Sequence, residues 1–394
     1  MQEFALLASD LAWPFAIAVA WLAGEFGHRV TGLPRISIYG LIGFLFANLQ
    51  GGILPVVDNN IMLLANVAFG LILFEFGYRI NLHWLRTNPW IAVTGLLESV
   101  VTFIVVYFVA QAFGASMITC LLLSSLSMAT SPAGVLRVIN EQRSSGQVTE
   151  RILHLCALNC VLSVFAFKVI VGLWLFQSSG SLWQAASSSL IQLFASAAVG
   201  ALFGMMVPGI LRWLGSLARD ATVAFALAVI LLVTLTHILN LSPVLAALTF
   251  GLMARHRRVS LSQAQRNFGA LGDLLTVLLF VVATSTLEWD SVVKGAGLGL
   301  ALVGARLLTK TLCVTATSQL SGITWRKGAL AGLGLAPVSV FVILMVEQTR
   351  YLGLILVDEL TALAAMILVL EVLGPILTQY ALVWAKESQH TIEG

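Results

Sequence analysis

Apolar runs of about 20 residues follow one another from one end of this chain to the other, and each is the length a helix needs to cross the hydrocarbon core of a bilayer. Lipid offers no partner to a backbone N–H or C=O, so a spanning segment must satisfy them itself; runs this uniformly apolar, without strand-like alternation, do so as helices. Only 10% of the residues are charged, against roughly 25% in an average soluble domain. That excludes a soluble enzyme and leaves no polar stretch long enough for a separate soluble domain. The expected fold is an all-α polytopic membrane protein, with residues 1–394 forming one transmembrane unit. The first ten residues carry acids and no basic n-region, so no cleavable signal peptide is expected.

The apolar pattern predicts thirteen spans, at roughly 11–28, 35–50, 59–79, 88–112, 115–137, 151–177, 185–212, 221–239, 242–255, 267–287, 293–319, 327–346 and 354–385. The basic residues test that count. With the N-terminus placed outside, all 21 Lys and Arg residues fall at cytoplasmic ends except Lys294 and Arg350 outside, and Lys168, Arg306 and Lys310 within spans. This asymmetry is what the positive-inside rule asks of an N-out, C-in chain. The inner membrane of a bacterium is the expected location.

Two spans are interrupted. Thr130-Ser131-Pro132 breaks the fifth and Leu335-Ala336-Pro337-Val338-Ser339 breaks the twelfth. A proline inside a helix removes one hydrogen bond and clashes with the preceding turn. In a membrane such a break survives only against protein or a wet cavity. Spans four to six and eleven to thirteen run in opposite senses, each triplet with its break in the middle. Paired breaks in inverted halves, crossing at mid-membrane, point to a transporter binding site.

Several stretches are similar to the monovalent cation:proton antiporter superfamily, the sodium/proton and potassium/proton exchangers. GLPRISIYGLIGF (32–44) and LILFEFGYRINL (71–82) resemble its second and third helices. SMATSPAGVLRVI resembles its broken fifth helix, ARLLTKTL (305–312) its basic helix, and GALAGLGLAPVSVFVIL (328–344) its second broken helix. The resemblance implies proton-linked antiport of Na⁺ or K⁺, alternating access by elevator motion, and a homodimer. It implies dimerisation or scaffold helices at 1–86 and 185–287, and core helices at 87–184 and 288–386. It also implies a basic residue that balances charge at the crossing, with Lys310 the better positional match and Arg306 the alternative. The chain departs from the family in its sixth helix. Where exchangers carry an aspartate that binds the cation or the proton, this chain reads Asn159-Cys160, and no acid lies between Arg151 and Phe176. The second break also lacks the Gly-Gly-Glu of potassium-type members.

A charge at the bilayer centre costs roughly 2.5–3.5 kcal/mol even on the lenient insertion scale, so each needs a partner or a task. Thr130, Ser131, Asn159 and Ser339 are candidates to line the crossing, and Cys160 either joins them or packs as a small residue. Arg306 and Lys310 share one helix face at i, i+4, where they balance charge at the breaks or pair with Glu98 or Glu371. Those two acids are the candidates for proton coupling in place of the missing aspartate. Lys168, nine residues beyond Asn159, faces the opposite side of the helix and is expected to snorkel or to meet an acid. Glu75 and Arg79 are expected to pair locally, and His154 to be solvated. The cysteines Cys120, Cys156, Cys160 and Cys313 fit neither a disulfide framework nor a metal site. No metal, cofactor or nucleic-acid partner is expected, and no nucleotide-binding loop or Ser–His–acid convergence indicates a pump or an enzyme. The expected partners are the bilayer, a proton and a monovalent cation. Two other readings stay open: the same fold moving an anion or small zwitterion, and a non-transporting membrane sensor.

Overall fold

The computed structural model describes residues 2–49, 54–175, 182–213, 221–257, 268–350 and 361–389, with side chains for all of these except 2–10, 59, 175, 182–186, 339 and 347–350. Among them the secondary structure is helical throughout. In chain order the helices are α1 (Gln2–Thr31), α2 (Arg35–Asn48), α3 (Asn59–Arg79), α4 (Leu82–Thr87), α5 (Trp90–Ala112), α6 (Met117–Met128), α7 (Pro132–Glu141) and α8 (Gln147–Leu175). They continue with α9 (Leu182–Trp213), α10 (Ala221–Ile238), α11 (Pro243–His256), α12 (Gly269–Ser285), α13 (Trp289–Ala316), α14 (Trp325–Leu333), α15 (Ser339–Arg350) and α16 (Thr361–Trp384). Among the described residues, eight segments are long and apolar enough to cross a membrane by length and composition. One of them, Met117–Glu141, comprises α6, a break and α7. The chain is a multi-pass, all-α membrane protein.

Both interruptions fall at the expected prolines. The helix stops at Met128 and restarts at Pro132, where proline at the first position needs no N–H partner. Ser131 caps the new start by accepting from Gly134 N at 3.3 Å. The second helix stops at Leu333 and restarts at Ser339, with Pro337 in the non-helical link.

The described chain divides into two compact units, one of residues 1–62, 89–163 and 277–394, the other of residues 63–88 and 164–276. In the second unit, aromatic packing and close backbone approach hold α3, α10 and α11 together. Phe74 lies 4.8 Å from Phe250 and 5.1 Å from Phe225, centroid to centroid. Gly251 permits the contact between α3 and α11: a Cβ there would sit 2.0 Å from the Phe74 carbonyl. In lipid, where burial of apolar surface gives little drive, small residues let helices pack by van der Waals contact. Glu75, 1% exposed, pairs with Arg79 at 3.7 Å as expected. Arg255 donates to the carbonyls of Tyr78 and Arg79, closing the negative end of α3. Lys168 donates to the Gln192 amide oxygen at 3.0 Å, so its partner is an amide and not an acid.

In the first unit α13 packs along α5, α14 and α16, and α2 packs along α1 and α16. At one end of this unit, Arg35 bridges Glu25 at 2.9 Å and Glu141 at 3.2 Å, and His28 lies 2.9 Å from Glu141. These contacts tie α1 and α2 to the end of α7. The segment after α16 folds back on the α7–α8 link, where Glu387 accepts from Val148 N at 2.9 Å and Thr149 N at 2.8 Å. A carboxylate thus caps the positive end of α8. His154 is buried, contrary to the solvated position expected, and its Nδ1 lies 2.7 Å from the Glu150 carbonyl. Residues 151–157 of α8 are all buried, so this stretch of the helix has no face turned to water.

Candidate functional site

The two breaks meet. Ser131 N donates to the Pro337 carbonyl at 2.8 Å, and the Thr130 hydroxyl donates to the Leu335 carbonyl at 3.3 Å. At this junction lie the carbonyls that close the end of α6, the negative end of its dipole, and those of Leu335 and Ala336 in the link after α14.

Arg306, fully buried on α13, answers both ends at once. Its Nε donates to Ser127 O at 3.0 Å and its Nη2 to Ala129 O at 2.6 Å, both at the end of α6. The same Nη2 donates to Leu335 O at 3.0 Å, and Nη1 to Ala336 O at 2.8 Å, in the link after α14. The planar guanidinium fork can serve several acceptors together; an ammonium cannot match that geometry. One turn further along α13, the Lys310 ammonium donates to Met128 O at 2.9 Å and is paired with the Glu98 carboxylate of α5. Lys310 and Glu98 are 1% and 0% exposed. The sequence left Lys310 and Arg306 as alternatives; both are at the crossing, with different partners.

Asn159 stands beside them on α8. Its Nδ2 donates to the Thr130 hydroxyl at 3.2 Å and its Oδ1 accepts from the Ser99 hydroxyl at 3.0 Å. Ser99 follows Glu98 on α5, and its hydroxyl lies 3.5 Å from a Glu98 oxygen. A continuous polar chain therefore runs from Lys310 through Glu98, Ser99 and Asn159 to Thr130. Cys160 and Cys156, one turn apart, both donate to the Thr130 carbonyl, at 3.1 and 3.4 Å. All of these residues are buried.

The expected site residues thus separate into groups. Thr130, Asn159, Cys160, Arg306, Lys310 and Glu98 converge. Ser131 is beside them, with its hydroxyl spent on the α7 cap. The Ser339 side chain lies outside the described residues. Glu371 faces elsewhere, against Gly40 of α2. Sequence reasoning missed Ser99 and Cys156. Cys156 was within reach of it, since i and i−4 share a helix face. Ser99 was not, because its role depends on how α5 is rotated against α8.

A family model described as "Sodium/hydrogen exchanger, transmembrane" matches residues 15–384. No curated protein matches the chain. Among solved structures, the chain is similar to the sodium proton antiporter MjNhaP1 from Methanocaldococcus jannaschii. The structure of that protein at pH 8 is 16% identical, with 96% of this chain and 97% of that chain covered and a TM-score of 0.65. A second structure of the same antiporter, from a 3D EM map, is 17% identical, with 96% and 95% covered and a TM-score of 0.69. At these identities the likeness establishes the fold.

Proposed function

The chain belongs to the sodium/hydrogen exchanger family, and on that premise we propose that it exchanges protons for a monovalent cation, Na⁺ or K⁺, at the crossing of its two broken helices. The observation that carries the reading is the buried Lys310–Glu98 pair, joined through Ser99 to Asn159 and Thr130. The acid missing at Cys160 is replaced by one from a neighbouring helix. Glu98 supplies the carboxylate, Asn159 and Thr130 supply neutral oxygens, and Lys310 supplies the exchangeable positive charge.

The chemistry balances as a swap. In the paired state the Lys310 ammonium neutralises the Glu98 carboxylate. A cation entering the pair takes the carboxylate as ligand, and Lys310 gives up one proton to water as it loses its counter-charge. Reprotonation of Lys310 from the other side restores the pair and expels the cation. One positive charge enters the site for each proton that leaves. Arg306 takes no part in the exchange and holds the carbonyl ends of both half-helices in place throughout. Alternating access comes from elevator motion of the core helices that carry the crossing, within a homodimer whose N-terminus is outside and C-terminus cytoplasmic in a bacterial inner membrane.

The engagement of Arg306 with four carbonyls, and of Lys310 with Glu98 and a fifth, speaks against the anion reading, since neither charge is left for an anionic cargo. The test is proton flux in proteoliposomes under imposed Na⁺, K⁺ and Li⁺ gradients. Wild type is expected to show cation-driven flux that Glu98→Gln and Lys310→Ala abolish. Flux retained in Glu98→Gln would sink the assignment of Glu98. No flux in wild type, with flux appearing only in Cys160→Asp, would instead make the chain a non-transporting relative.

A further inference from the structure

Glu371 lies in the middle of α16, 1% exposed, and neither of its carboxyl oxygens has a hydrogen-bond partner among the described residues. Three other acids of the first unit have donors: Glu98 has Lys310, Glu141 has His28 and Arg35, and Glu387 has the start of α8. The surroundings of Glu371 are built to admit a carboxyl group. A Cβ added at Gly40 would fall 2.5 Å from the Glu371 Cγ and 2.7 Å from its Oε1, so only glycine on α2 leaves room for it.

The backbone around it is also short of donors. Pro375 stands four residues on, inside the helix, and has no N–H for the Glu371 carbonyl. The next carbonyl, of Val372, accepts from the Ser37 hydroxyl of α2 at 3.0 Å. The turn from Glu371 to Pro375 thus presents acceptors and lacks hydrogens. An ionised carboxylate without partners is the most expensive group that can be put in such a place. One proton removes the charge.

Among the described residues, the charged groups on neighbouring elements do not supply the missing partner. On α13, Arg306 and Lys310 are held at the crossing. Arg35 on α2 is held by Glu25 and Glu141, Lys327 on α14 donates to Gln147, and neither Arg137 on α7 nor Arg326 on α14 reaches the carboxyl. The side chains of Glu347 and Arg350 on α15 lie outside the described residues.

We propose that Glu371 is a proton-binding site separate from the Lys310–Glu98 pair, holding one exchangeable proton while α2 and α16 are in contact. Its place in the fold gives that proton a consequence. One turn beyond Glu371, Gly374 backs directly onto the second break, where an added Cβ would lie 2.8 Å from Pro337 Cα. Losing the proton leaves a charge that must reach water or a cation, which forces α2 away from α16 on the helix that supports the break.

Infrared spectroscopy of the purified full-length protein tests this without any transport measurement. The wild type is expected to show a protonated-carboxyl C=O stretching band that Glu371→Gln removes, that the double variant Lys310→Met, Glu98→Gln keeps, and that bleaches reversibly as the pH is raised. Glutamine has the shape of the neutral acid, so this variant is expected to fold with an unchanged melting temperature. Gly40→Ala is expected to shift the band, since its methyl group displaces the carboxyl. A band that persists in Glu371→Gln would overturn the proposal. So would one that Glu371→Gln removes but that never titrates while the protein stays folded, since that acid would be a static core group. A wild type without cation-driven flux, its band behaving as expected, would count against the exchange reading and leave this site standing.

Discussion

Ser131 and Pro337 are joined backbone to backbone, the N–H of one on the carbonyl of the other at 2.8 Å, although they lie in different broken helices. With the Thr130 hydroxyl on Leu335 O and Arg306 on carbonyls of both links, this bond makes the two breaks one structure. Anything that loosens one link loosens the other, so substitutions around either break are expected to act on both.

Arg306→Ala is expected to be among the most damaging single changes. It removes the guanidinium from four buried carbonyls, of which that of Leu335 keeps another donor, the Thr130 hydroxyl; a carbonyl left without a donor costs about 1–3 kcal/mol, though not additively. A loss of at least about 3 kcal/mol, read as a large fall in melting temperature in detergent, is the expected outcome. Arg306→Lys is expected to recover little of it, because an ammonium cannot span the same acceptors. Full recovery with lysine would show that charge alone matters here.

The Lys310–Glu98 pair makes a prediction about its own removal. Breaking a buried pair from one side costs about 3–5 kcal/mol, because a lone charge is left behind; replacing both partners with neutral groups costs far less. Lys310→Met and Glu98→Gln are each expected to destabilise strongly, and the double variant to be more stable than either. All three should lack exchange. A double variant as unstable as the sum of the singles would mean that the two residues do not pair in the membrane.

At Cys160 the structure separates two replacements that look alike in sequence. The thiol donates to the Thr130 carbonyl. Cys160→Ser keeps a donor there and is expected to change stability by less than about 1 kcal/mol. Cys160→Asp sets carboxylate oxygens against a carbonyl oxygen and is expected to cost about 1–3 kcal/mol. Thermal unfolding of the two variants side by side checks this. An aspartate tolerated as easily as serine would mean that water or a cation reaches the position.

Glu387 caps α8 with two backbone hydrogen bonds and a third from the Thr149 hydroxyl, at 2.8 Å. Glu387→Ala is expected to cost about 0.5–2 kcal/mol and to speed proteolysis in the segment that follows α16. Unchanged protease sensitivity would mean that the segment is held by Ser388 and Gln389, which both bond to Gln142.

Much of this molecule was legible in the order of its residues, and the parts that were not share a cause. Pro132 and Pro337 announce the breaks because a proline's effect is local. The departure at Cys160 is visible for the same reason: a missing carboxylate needs no third dimension. What the string of letters left open was pairing. Glu98 and Glu371 read alike, as lone acids in long apolar runs, until α13 is seen to turn Lys310 toward α5 while α16 turns Glu371 toward Gly40. Arg306 and Lys310 read as alternatives because they share a face, and only the separation of two sets of carbonyls along that face gives each its own partner. Rotation about a helix axis is set by packing against neighbours, and it decides which mid-span charges meet.

The position of Arg306 along the chain has a bearing on biogenesis. It donates to Ala129 across a separation of 177 residues. The first broken helix therefore leaves the translocon long before the guanidinium that seals it has been synthesised, and its open carbonyls must be sheltered in the meantime by water, lipid headgroups or the insertion machinery itself. The second broken helix, made after Arg306, emerges next to a partner already in place. Assembly of the crossing is thus asymmetric in time although its architecture is paired, and nascent chains arrested before and after Arg306 should differ in how firmly the segment around Ser131 sits in the membrane.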